Sequence, residues 1–124
     1  MSTESVTTAA RSPNGWYTLA ADLRTPVPDP GGLGRALTDD QIIVERTHVK
    51  RPRHLLVSTV FLKLDHSFAG GPPLLWKTMV FAANARGEVT SFLELDADRY
   101  SSRADADAGH AAMVSKCKRG KVSP

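Results

Sequence analysis

The stretch LLVSTVFLKLDHSFAGGPPLLWKTMVF, residues 55 to 81, decides the fold. Two dense apolar runs flank a short polar segment holding Gly-Gly and Pro-Pro. In the first run, residues 55 to 66, Leu55, Val57, Thr59 and Phe61 alternate with Leu56, Ser58, Val60, Leu62 and Leu64. Both faces are largely apolar, which suits a central strand covered on both sides. SFAGGPP turns the chain. PLLWKTMVFAA, residues 73 to 83, then reads as the next strand. Strands joined by a short turn are antiparallel neighbours.

Working outward, QIIVERTHV (41 to 49) alternates with period two and predicts a strand before this pair. KRPRH between them is a turn, because Pro52 cannot donate to a ladder. After NARGE, VTSFLELDADRY (89 to 100) predicts a fourth strand. A helix follows. Ser102 and Asp105 stand as N-cap and N3. Asp105 and Asp107 come early and Lys116, Lys118 and Arg119 late, as the helix dipole favours. Ala106, His110, Met113, Val114 and Cys117 share one stripe, and Gly120 is the terminator. Gly109, mid-helix, costs about 1 kcal/mol relative to Ala; that implies a neighbour packed closely against it.

Toward the N-terminus, WYTLAADL (16 to 23) predicts a short strand and RTPVPDPGGLG (24 to 34) a loop. Any helix after that loop is limited to a turn or two near Leu33 to Leu37. Residues 1 to 14 are Ser/Thr/Ala-rich without periodicity and are expected to form a disordered arm. Residues 120 to 124 are expected to form a flexible tail. The whole predicts an α+β fold over residues 15 to 119: a small antiparallel meander of about four strands, with one C-terminal helix packed on a face.

The 124 residues are 41% hydrophobic and 23% charged, as in ordinary globular chains. No apolar run approaches the roughly 18 residues that cross a bilayer. The start lacks the features of a secretory signal. A single cysteine, Cys117, leaves no intramolecular disulfide and no cysteine-based zinc cluster. The expected compartment is a reducing cytoplasm. No phosphate loop, GxSxG elbow or HExxH helix is present, so neither cofactor nor metal is expected.

The net charge of +3 is unevenly spread. Residues 46 to 54 hold Arg46, Lys50, Arg51 and Arg53 with two histidines. Residues 116 to 121 add Lys116, Lys118, Arg119 and Lys121. Such segments suit an anionic partner, nucleic acid among them; they also suit a solvated loop and a helix C-terminus.

Three places carry candidate chemistry. Asp65 and His66 end the first run, either as an acid-base pair or as the polar lip of a hairpin. His110 lies inside an apolar stripe and needs a partner when buried. If His66 and His110 converge, then Asp65, Asp96 or Asp98 would complete an acid-base or metal set. Tyr100 and Trp16 lie at element edges and are expected to be accessible. Phe61, Trp76, Phe81 and Phe92 sit in apolar runs and are expected in the core rather than on a base-stacking platform. Cys117 is either activated by nearby cations or buried and inert.

VSTVFLKLDHSF (57 to 68), GPPLLWKTMVF (71 to 81) and RYSSRADADAGHAAMV (99 to 114) resemble a family of small uncharacterised proteins of bacteriophages and prophages. Its pattern reads VSTVFLGLDH, a Gly-rich turn, PLLFETMVF and RYST-EEA-GH, after a PVP segment matched here by PVPDP (26 to 30). Lys63 stands where the pattern has Gly, and Lys77 where it has Glu. The segment between PVP and the first strand is also shorter here. The resemblance implies a phage-type origin and no particular activity.

Two main readings follow. One is a binding protein acting stoichiometrically on a host protein or a small signalling ligand, in regulation or counter-defence. Its binding residues would be Arg46, Lys50, Arg51, Arg53, Asp65, His66 and Tyr100. The other is a small acid-base or metal-dependent enzyme using His66 and His110, helped by Asp65. A nucleic-acid-binding accessory protein, using residues 46 to 54 and 116 to 121, is a third. An exposed edge strand would allow a homodimer.

Overall fold

The structure is a computed structural model and describes residues 12–31, 37–65, 67 and 71–122. Its elements are β1 (Tyr17–Leu19), β2 (Pro26–Pro28), α1 (Asp39–Ile42), β3 (Ile43–Val49), β4 (Leu55–Phe61), β5 (Trp76–Ala82), β6 (Asp96–Tyr100) and α2 (Arg103–Lys118). The last four strands form an antiparallel meander in the order β3-β4-β5-β6, and α2 packs across it. The fold is the expected α+β arrangement. No helix among the described residues is long and apolar enough to cross a membrane.

Residues of β4 that alternate toward α2 are buried: Leu55, Val57, Thr59 and Phe61. On the opposite face Ser58 is buried while Leu56 and Val60 are half-buried. Two apolar clusters lie along the helix. Near its N-terminus, Ala106 meets Tyr17, Leu19, Leu37, Phe61, Leu75 and Trp76. Toward its C-terminus, Met113 and Cys117 meet Val49, Leu55, Val57, Val80 and Val122. Each large side chain removed from water contributes about 1.5–3 kcal/mol. Between the two clusters stands a buried polar belt of Thr59, Thr78 and His110.

Helix α2 follows its sequence signals. The Ser102 hydroxyl accepts from the Asp105 N–H at 3.1 Å. At the far end the Gly120 N–H donates to the Cys117 carbonyl and the Lys121 N–H to the Lys116 carbonyl. Gly120 has φ +69°, so the end is a Schellman motif. The expected stripe is largely buried: Ala106, His110, Met113 and Cys117 fully, Val114 half.

Several boundaries differ from the sequence reading. The segment from 24 to 34 is not all loop, because Pro26–Pro28 pairs with Tyr17–Leu19. The Ala20 N–H to Thr25 carbonyl and Asp29 N–H to Trp16 carbonyl bonds set the ladder. In that register both prolines turn their nitrogens away from β1, where no donor is needed. The expected helical turn near Leu33 to Leu37 lies mostly outside the described residues, and Leu37 is not helical. The helix that exists begins after Thr38, whose side chain and backbone form a capping box with Gln41. Gln41 and Ile42 therefore belong to α1, and β3 starts at Ile43.

Strand β4 ends at Phe61, five residues before the expected end. Lys63 has φ +56°, and the Leu64 N–H bonds back to the Leu62 carbonyl, so the chain turns sharply there. The fourth strand is also shorter, starting at Asp96 rather than Val89. Thr90 still donates to the Ala82 carbonyl and Leu95 to the Val80 carbonyl. Residues 91 to 94 loop out between those two bonds, opposite Phe81. Along the outer edge of β6, the Ala97 and Arg99 N–H groups donate to the carboxylates of Asp96 and Asp98, each at 2.9 Å.

Packing extends beyond residues 15 to 119. Ser12 is buried with its N–H on the Tyr17 hydroxyl at 2.8 Å, and Val122 joins the lower core. Residues 1 to 11 lie outside the described residues.

Candidate functional site

Two groupings of functional side chains emerge. The first is a chain of hydroxyls centred on His110, which is 1% exposed. His110 Nδ1 lies 2.7 Å from Thr59 Oγ1, and Nε2 lies 2.8 Å from Thr47 Oγ1. Thr59 Oγ1 is in turn 2.5 Å from Thr78 Oγ1, and the Thr78 hydroxyl is directed toward the Tyr100 oxygen. One residue from each of β3, β4, β5 and β6 thus joins one residue of α2. Burial pushes the His110 pKa down, and the charges of Glu45 and Asp107 only partly offset it. Glu45 Oε2 lies 3.8 Å from Nε2. A neutral imidazole holds the chain together, donating at one nitrogen and accepting at the other. With both nitrogens engaged, the arrangement fixes the helix on the sheet.

Asp65 serves its own loop. Its Oδ1 accepts from the Ser67 N–H at 2.8 Å, the Ser67 hydroxyl at 2.6 Å and the Leu74 N–H at 2.9 Å. That closes the β4–β5 connection. His66, and with it the convergence of His66 on His110, lies outside the described residues. Among the described residues no group of three or more His, Cys, Asp or Glu side chains is placed to hold a metal ion.

Tyr100 is half-buried and packs over Gly109, the close neighbour that the mid-helix glycine implies. Burial raises its hydroxyl pKa, against the hydrogen bond from Thr78. It lines a groove of about 220 Å³ with Asp96, Asp98, Met113 and Lys116. Trp16 is exposed; Phe61 and Trp76 are buried against each other. Phe92 departs from its expected place in the core. It stands on the looped-out segment at 81% exposure, touching Phe81 by an edge. Cys117 is buried, and burial pushes its thiol pKa up.

The second grouping is a basic pole. The β3–β4 turn carries Lys50, Arg51 and Arg53, all exposed, around Pro52. This turn packs on the end of α2: a Cβ on Gly120 would lie 3.4 Å from the Pro52 ring. Lys50, Arg51 and Lys118 line one groove of about 420 Å³, with His48 and Val49. Arg53 borders a neighbouring hollow with Cys117 and Gly120. Arg46 projects from β3 on the face opposite α2, since it pairs with Ser58. His48 Nε2 and His54 Nδ1 lie 2.9 Å apart across the base of the turn.

Several other cations are paired with carboxylates. Arg24 and Arg103 pair with Asp107, Lys77 with Glu94, Arg86 with Glu88, and Lys116 with Asp96. Among the described residues no carboxylate pairs with Lys50, Arg51, Lys118 or Lys121. The sequence shows the two basic segments but leaves them apart; their union and the His48–His54 contact come from the fold. A signal for the union exists. A four-strand meander followed by a returning helix puts the first hairpin turn and the helix C-terminus at one end.

Comparison with protein-family models, with curated proteins and with solved structures finds no match to this chain.

Proposed function

We propose that the chain is a small stoichiometric binding protein that engages an anionic macromolecule through its basic pole. The observation that carries this reading is the meeting of two distant basic segments in one groove, where among the described residues Lys50, Arg51 and Lys118 have no carboxylate partner. An isolated exposed ion pair is worth little, about 0–1 kcal/mol. A cluster of unneutralised cations instead raises the local potential and steers an anionic partner. The resemblance to small phage and prophage proteins supports a setting in the bacterial cytoplasm. There the protein would act by occupying a host macromolecule, in regulation or counter-defence.

Retention on an immobilised polyanion tests this. The pair Arg51→Glu and Lys118→Glu should elute at clearly lower salt than the unaltered protein. Arg86→Glu with Arg24→Glu changes the net charge equally and should elute later than the pole variant. Equal elution of the two variants would remove the pole from the argument.

A further inference from the structure

We infer that the partner of the basic pole is a nucleic acid, held by its phosphate backbone without reading of the bases. This rests on the pole being the contact surface, and it names the partner's chemistry.

The surface around the groove fits phosphates better than an acidic protein. Protein interfaces are built around a desolvated apolar or aromatic centre. The exposed large apolar residues among those described are Trp16, Val27, Phe92 and Leu93. None of them lines the groove, and none belongs to the basic turn. What the groove offers is Lys50, Arg51 and Lys118, with His48 at its wall. Those are the groups that neutralise phosphates, and Arg51 adds a planar fork that can meet two oxygens of one phosphate.

Carboxylates at that end would repel a phosphate, but they are already engaged. Asp96 is held by Lys116, and Glu88 by Arg86. Among the described residues, the cations of the groove therefore face solvent without an internal competitor. Their spread over a hairpin turn and a helix end suits a partner with closely spaced charges, and duplex DNA carries one per about 1.7 Å of axis.

Base reading needs other features. Single strands are gripped by exposed aromatic platforms, and duplex bases are read by a helix or strand entering a groove. Among the described residues, no aromatic ring other than the His48 imidazole lines the site, and α2 contributes only Lys118 to it. Binding therefore follows charge density and ignores sequence.

The test is a salt titration by fluorescence anisotropy, with two labelled duplexes of about 20 base pairs and unrelated sequence, between about 50 and 200 mM salt. Three or four neutralised phosphates predict a slope of log affinity on log salt of about −3. The two duplexes should bind within about twofold of each other, well below the discrimination that base contacts provide. Arg51→Gln and Lys118→Gln should each flatten the slope by about 1, while Arg86→Gln leaves it unchanged. A slope unaffected by the two pole variants would overturn the inference, and so would a strong preference for one duplex. Polyglutamate in the same assay separates this inference from the reading beneath it. Pole-dependent binding to polyglutamate without duplex binding would overturn the nucleic-acid partner and leave the anionic-partner reading standing. Binding to neither would overturn both.

Discussion

The backbone of Gly109 runs so close beneath the ring of Tyr100 that a Cβ built there would lie 2.2 Å from Cζ and from the hydroxyl oxygen. The ring is half-buried and packed against the upper core, which limits its room to swing away. Glycine in a helix interior normally costs about 1 kcal/mol, so Gly109→Ala would usually stabilise. Here it should destabilise by about 1–3 kcal/mol, as overpacking does. Thermal denaturation of Gly109→Ala checks the sign. On a Tyr100→Ala background the same change should become neutral or favourable. A raised melting temperature for the single variant would refute the contact.

The His110 chain predicts how stability depends on pH. Burial holds the folded pKa below the ordinary histidine value of about 6.5. The unfolded state therefore binds the proton first as pH falls. Stability is full above about pH 6.5 and declines as pH drops through that value toward the lower folded pKa. Urea midpoints measured between pH 7 and pH 5 should fall for the unaltered protein. They should fall less for His110→Gln, which has nothing to protonate there. His110→Ala should cost about 2–4 kcal/mol at pH 7, through the void and the stranded threonine hydroxyls.

Lys63 occupies left-handed backbone, at φ +56°. That conformation costs a residue with a Cβ about 1–2 kcal/mol. Glycine avoids the clash but loses about 0.5–1 kcal/mol of chain entropy on folding. Lys63→Gly should thus be neutral to mildly stabilising in chemical denaturation. Lys63→Val, branched at Cβ, should lose about 1–2 kcal/mol. Equal losses from both would show that the turn is not strained.

Cys117 offers a probe of opening. The thiol is buried and its pKa is raised by that burial, so native protein should react slowly with a disulfide reagent at pH 8. Reaction should accelerate by orders of magnitude in denaturant. Prompt labelling of the native state would mean that the C-terminal end of α2 opens readily.

Much of this fold is legible in the sequence because its signals are local. The alternation in residues 55 to 61, the Ser102 cap, the Gly120 terminator and the stripe through His110 each rest on neighbours a few residues apart. What stayed hidden depends on contacts across the chain. Nothing in VTSFLELD reveals that residues 91 to 94 leave the ladder opposite Phe81 and expose Phe92. The pairing of PVP with Tyr17–Leu19 is masked by its prolines, whose tolerance depends on which way each nitrogen points. The candidate site divides in the same way. His110 was visible as a buried histidine in need of a partner. That its hydrogen-bond partners would be two threonines, Thr47 and Thr59, with Thr78 next along the chain, required the register of the strands.

The two aspartates of β6 also bear on how this protein meets other chains. A guest strand docking alongside residues 96 to 100 would need the amide hydrogens of Ala97 and Arg99, and each is already held by the preceding side chain. The guest would have to displace carboxylates and tolerate their charge next to its own carbonyls. That border of the sheet is sealed from within. Lengthening of the sheet by a second molecule is left to the β3 side, and elsewhere partners must be met by side chains instead of by backbone.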